Sequence, residues 1–68
     1  MKLSARNQLK GKIVDVTKGA TTSHARIDIG QGVIITSAIT NEAVADLYLK
    51  KGDDAWAVIK ASDVMIGK

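Results

Sequence analysis

The 68-residue sequence has no cysteine, no proline and no phenylalanine, with one tryptophan, one tyrosine and one histidine. Without cysteine there is no disulfide and no thiolate zinc site, and the fold does not depend on an oxidising compartment. One histidine does not build a structural metal site alone. No proline, low-complexity tract or linker interrupts the chain, so glycine carries the punctuation. No apolar run approaches the ~20 residues of a membrane span. The start, MKLSARNQLKG, lacks the apolar core of a secretory signal. The expectation is a soluble, cytoplasmic chain forming one domain, residues 1–68, with no membrane partner.

So small a domain buries a limited fraction of its surface and usually leans on disulfides, a metal or partner subunits. With the first two removed, oligomerisation is the expected stabiliser. A hydrophobic content of 46% points the same way. The ten Lys and Arg residues exceed the seven Asp and Glu by a net +3. That excess favours anionic partners without choosing between nucleic acid and a small oxyanion.

What is present alternates with a period of two. From Leu9 to Val16, LKGKIVDV sets Leu9, Gly11 and Ile13 on one face and Lys10, Lys12 and Val14 on the other. Thr17 to Ala20 is a turn candidate, with Gly19 free to take positive φ. In SHARIDI, Ala25, Ile27 and Ile29 alternate with His24, Arg26 and Asp28, a strand with one wet face. Gly30-Gln31-Gly32 closes a hairpin into VIITSAI, residues 33–39. The period then changes. Val44, Leu47 and Tyr48 recur at helical spacing, Thr40 or Asn41 can cap the start, and Lys50, Lys51 and Gly52 suit an end. Tyr48 is expected on the inward face of that helix. AWAVIK is a fourth strand and VMIG, residues 64–67, a fifth. Three meandering strands, a helix between strands 3 and 4, then two strands is the chain order of a small all-β, OB-like five-stranded barrel.

Catalysis is argued down by its missing parts. A triad needs a nucleophile, a base and an orienter, and His24 sits on the wet face of a strand. Asp53-Asp54 adjoins a glycine and reads as turn chemistry. No Walker-type or dinucleotide glycine pattern occurs. The chain is expected not to be an enzyme and to need no cofactor. An OB-like module can also bind single-stranded nucleic acid by stacking bases on exposed aromatics. Here Trp56 lies in an apolar strand and is expected in the core or an interface, so nucleic acid is the alternative and not the expected partner.

Three stretches carry oxyanion donors: Ser4-Ala5-Arg6-Asn7, then Ser37-Ala38-Ile39-Thr40 at a strand-to-helix junction, then Lys60-Ala61-Ser62 where a strand breaks. Each also has an ordinary structural role, as a strand lead-in, a helix cap and a solvated strand end. Their spacing along the chain leaves open whether they converge.

SARNQLKGKI near the N-terminus, TSAIT before the helix and VIKASDVMIG at the C-terminus resemble the molbindins, the small Mop proteins, whose domain is also called TOBE. The resemblance runs the length of the chain. It implies an OB-like barrel whose subunits exchange strands and assemble as a hexamer, a trimer of dimers. It implies molybdate or tungstate held at subunit interfaces. Carried over, one site comprises Ser4, Ala5, Arg6, Lys60 and Ala61, adjoined by Asn7 and Ser62, facing Thr40 of a neighbouring chain. A second site is sought around Gly19, Ala20, Ser23 and His24. Some relatives carry another hydroxyl three residues after the helix-start Thr, where this chain has Ala43.

Overall fold

The computed structural model describes residues 4–68. Four strands form one antiparallel sheet: β1 (Asn7–Lys18), β2 (Thr22–Asp28), β3 (Ile34–Thr40) and β4 (Asp54–Ile59), in the order β3-β2-β1-β4. A single α-helix, α1 (Asn41–Leu47), follows β3 directly, and one 3-10 turn, Ala61–Asp63, follows β4.

β1 decides the shape. Its first half, Asn7 to Lys12, pairs with β4, and its second half, Lys12 to Lys18, pairs with β2. A bulge between Ile13 and Asp15 lies where the partner changes, and a bulge bends its strand and raises the local twist. The ladder to the β4 side continues for one more step, since Ile13 N–H donates to the Asp53 carbonyl (2.9 Å) and Gly52 N–H to that of Ile13 (2.8 Å). The result is a curled four-strand half-barrel.

The two-residue period holds in β2, β3 and β4 and breaks in β1 around its bulge. Ser23, Ala25 and Ile27 of β2 are buried while Thr22, His24, Arg26 and Asp28 are exposed. Ile13, Ile27 and Ala57 form the centre of the core, with Val16, Ile29, Ile35, Leu49 and Ala55 packed around it. Gly11 is required by this packing. A Cβ there would lie 2.3 Å from the Asp28 carbonyl oxygen and 2.8 Å from Ile27 Cγ2.

Several expectations change. The segment VMIG forms no strand: Val64 is 47% exposed, Met65 92% and Ile66 91%. The 3-10 turn ends the β4 run, and an extended segment is a strand only if it finds an edge to pair with. The sheet leaves two such edges free, those of β3 and β4. Between them opens a cleft of about 680 Å³, floored by Ile13, Ala25 and Ile27 and walled by Ile35 and Ile39 on one side and Ala55 to Ile59 on the other.

The helix is shorter than its periodicity suggests. It stops at Leu47 because Tyr48 turns left-handed (φ 52°). Tyr48 N–H then bonds the Ala45 carbonyl and Leu49 N–H that of Val44, both at 3.1 Å. This is a Schellman-type ending with tyrosine at the position glycine usually fills. Tyr48 is therefore not inward but 82% exposed. Gly52 (φ 92°) belongs to the following turn. Gly19 is also needed for space and not for positive φ, since a Cβ would sit 2.6 Å from the Thr22 carbonyl.

Replacing Gly11 with alanine is expected to lower stability by about 1–3 kcal/mol, the cost of forcing a methyl into a packed contact. Urea denaturation of Gly11→Ala against the wild type checks this. An unchanged midpoint would contradict the close approach of β1 and β2.

Candidate functional site

The β1–β4 register joins two of the three donor-rich stretches. Asn7 pairs with Ile59 as the last rung of an antiparallel ladder, so the chain enters β1 and leaves β4 at the same end of the sheet. Asn7 Nδ2 fastens the junction by donating to the Ile59 carbonyl at 3.2 Å. Gln8 Nε2 donates to the Ala5 carbonyl at 3.3 Å and holds the lead-in folded back on β1. Opposite, Lys60 opens the 3-10 turn, and Asp63 N–H closes it on the Lys60 carbonyl at 2.9 Å. Ser4, Arg6, Lys60, Ala61 and Ser62 are exposed, and Ala5 and Asn7 are half-buried. Among the described residues neither Arg6 nor Lys60 is in an ion pair, whereas Lys12 holds Asp54 (2.7 Å) and Arg26 holds Asp15 through two parallel bonds. This end of the sheet therefore presents two cations and two hydroxyls, with the Asp63 carboxylate closing the same 3-10 turn.

Thr40 lies elsewhere. It pairs with Thr22 at the start of β2, and Ser23 pairs with Lys18 at the far end of β1. The twelve residues of the bent strand β1 separate it from Asn7. Thr40 ends β3 and caps α1, its Oγ1 accepting from Ala43 N–H at 3.1 Å. A hydroxyl that accepts there keeps its proton for another acceptor. Ala43 contributes only its backbone N–H to the cap.

The stretch around Gly19 to His24 sits at this same end and is tightly bonded. Asn41 Nδ2 donates to the carbonyls of Gly19 (3.0 Å) and Ala20 (3.2 Å). Its Oδ1 accepts from Ser23 Oγ at 2.5 Å, and its backbone N–H donates to Thr21 at 2.9 Å. Gly19 N–H donates to the Thr22 carbonyl. Ser23 is 1% exposed, so its hydroxyl serves the interior and is not presented outward. His24 is exposed on the outer face of β2, flanked by Thr17 and Ala38. Sequence reasoning names Asn41 only as a possible helix cap. Its reach into the β1–β2 turn becomes visible only once β2 and β3 are paired.

On the outer face of the β1–β4 half, Trp56 is cross-strand to Lys10, whose Nζ lies 5.4 Å from the indole centroid. The ring is 47% exposed, so it is not core. Among the described residues no group of three or more His, Cys, Asp or Glu side chains could hold a bare metal ion, and no helix is long and apolar enough to cross a membrane.

Residues 3–66 match the family described as the TOBE domain. Molybdenum-pterin-binding protein 3 of Clostridium pasteurianum is 48% identical over 66 residues, which cover 97% of each chain. The solved structure of MopII from Clostridium pasteurianum superposes with a TM-score of 0.92 at 45% identity, covering 98% of this chain and all of that one. A cytoplasmic molybdate-binding protein, ModG, solved with molybdate bound, gives 0.91 at 46% identity, covering 96% of this chain and 46% of its own.

The two ion pairs also set an acid response. The hydrogen bond from Arg26 holds the Asp15 carboxyl below its ordinary range, and the hydrogen bond from Lys12 does the same for Asp54. A carboxyl depressed in the folded state contributes stability above its unfolded value, and the contribution is lost as pH falls through the folded value. Urea midpoints measured from neutral pH downward are therefore expected to fall on the acid side. That limb flattens in the Asp15→Asn, Asp54→Asn double variant. Parallel acid limbs in the two proteins would contradict the assignment.

Proposed function

The chain belongs to the TOBE-domain family, among the small Mop proteins, and we propose that it binds molybdate or tungstate as the intact oxyanion, at sites formed between subunits. The observation that supports this reading is the β1–β4 register, which ends at Asn7 and Ile59 and so leaves both donor stretches at one end of the sheet, while Thr40 pairs with Thr22 toward the other end of β1. A pocket using all of these residues needs two chains. One chain supplies Ser4, Ala5, Arg6, Asn7, Lys60, Ala61 and Ser62, and a neighbour supplies the free proton of Thr40.

The chemistry suits a tetrahedral dianion. Charge-assisted bonds from guanidinium and ammonium groups are stronger than neutral ones, and hydroxyls and main-chain N–H groups add directed donors without further charge. Sulfate has the same charge and shape, so selection against it rests on the size of the pocket. The anion is cargo and not a catalytic group, and the role is storage and homeostasis of molybdenum in the cytoplasm. The similarity to a molybdenum-pterin-binding protein and to a cytoplasmic molybdate-binding protein supports this choice.

Assembly follows from the thin core. Among the described residues the buried apolar side chains are Ile13, Ala25, Ile27 and Ala57, and two alanines contribute little transfer energy. The open seam between β3 and β4 has the form of a slot for one more strand, and the exposed, continuously apolar Val64-Met65-Ile66 suits it on another copy. Exchange of this segment between subunits, building toward a hexamer, would close the barrel and bring the ends of β1 from different chains together. Anion binding then stabilises the assembly by mass action.

Isothermal titration of the wild type with molybdate is expected to show saturable binding, with sulfate at least about tenfold weaker, a difference of ~1.4 kcal/mol. Equal affinity for the two anions would count against a size-selective pocket. The Arg6→Ala, Lys60→Ala double variant is expected to lose the interface site while keeping its oligomeric mass by native mass spectrometry. Unchanged anion stoichiometry in that variant would sink the site assignment. A chain ending at Asp63 is expected to lose the oligomer. An intact assembly of the shortened chain would refute the exchanged-strand role.

A further inference from the structure

We infer that Asn41 is a positioning residue that locks the Thr40 hydroxyl and the β1–β2 turn into one preset donor cluster. The inference rests on the oxyanion-binding reading above and names a residue that acts through others. The side chain and backbone N–H of Asn41 are fully engaged: its Nδ2 donates to the carbonyls of Gly19 and Ala20, Ser23 donates to its Oδ1, and its backbone N–H donates to the Thr21 carbonyl. No other side chain described in the chain ties the turn to the helix.

The consequence is directional. In a trans peptide the N–H points opposite to the preceding carbonyl. With the Gly19 and Ala20 carbonyls drawn toward Asn41, the N–H groups of Ala20 and Thr21 face away from it. Neither has a hydrogen-bond partner among the described residues. Gly19 N–H is spent on Thr22, and Ser23 Oγ on Asn41, so the Ala20 and Thr21 amides and the proton of Thr40 stay available at this end, beside the exposed Lys18 and the Thr21 and Thr22 hydroxyls. Asn41 follows Thr40 directly in the chain, so a shift of its side chain moves both sets. Ser23, buried beneath, fixes the asparagine by accepting no freedom of its own: it is 1% exposed and has one partner within reach.

The test uses the full-length assembled protein and molybdate itself, with ¹⁵N-labelled chain. In the wild type, molybdate is expected to shift the Ala20, Thr21 and Thr40 amide resonances. Asn41→Ala removes all three side-chain bonds. It is expected to bind molybdate roughly tenfold or more weakly, as when a hydrogen bond to a charged ligand is lost, and to lose the Ala20 and Thr21 shifts. Asn41→Asp keeps the shape and the acceptor for Ser23 but turns an oxygen toward two carbonyls. It is expected to fail in the same way and covers the case in which the alanine variant does not assemble. Ile13→Val, which loosens the core away from the cluster, is expected to lower thermal stability while leaving molybdate affinity within about twofold.

Asparagine variants that bind as tightly as wild type, with the Ala20 and Thr21 shifts retained, overturn the positioning role alone. A core variant that loses affinity as much as they do also overturns it, because stability and not position would then govern binding. A wild type that takes up no molybdate overturns the functional reading and this inference together.

Discussion

One strand serving two partners in succession is the constraint on which the molecule depends. β1 gives its first half to β4 and its second half to β2, and the two ladders overlap at Lys12 and Ile13. Gly11 permits the backbone of β2 to approach at that crossing, and the bulge after Ile13 turns the strand from one ladder into the other. A straight, fully paired β1 would give a flat sheet with no concave side. The bend folds Ile13, Ile27 and Ala57 against one another and leaves the edges of β3 and β4 facing across an apolar cleft.

The same strand distributes the chemistry. Its start carries the donors of Asn7 and the residues before it, braced on Ile59. Its end meets the turn that Asn41 fastens to the helix. Donors are thus gathered at two poles, and a ligand that needs both poles needs more than one chain. Thin core, open seam and two separate donor clusters are three expressions of this one arrangement.

Much of this was legible in the residues. The alternation of Ala25 and Ile27 against His24 and Arg26 gives β2 and its buried face, because side chains on a strand point to opposite sides by turns. The change of period after Thr40 gives the helix, and the cap bond from Thr40 follows from its residue type. The end of that helix was not legible. The left-handed turn at Tyr48 places a bulky side chain where glycine is the usual choice, and its helical spacing from Val44 suggests an inward face it does not take. VMIG reads as a strand by composition, but a strand is a relation between two segments, and the second segment is not in its own sequence window.

The sequence by itself determined the local grammar: which residues alternate, where the period changes, which stretches hold donors, and that no cysteine or metal cluster would brace so small a core. Local sterics and side-chain chemistry fix these at a range of a few residues. The tertiary structure alone decided which donor stretches meet. Asn7 against Ile59, and Asn41 against Gly19, Ala20 and Ser23, are pairings across 52, 22, 21 and 18 residues. Register between strands sets them, and register depends on the packing of every strand in the sheet at once.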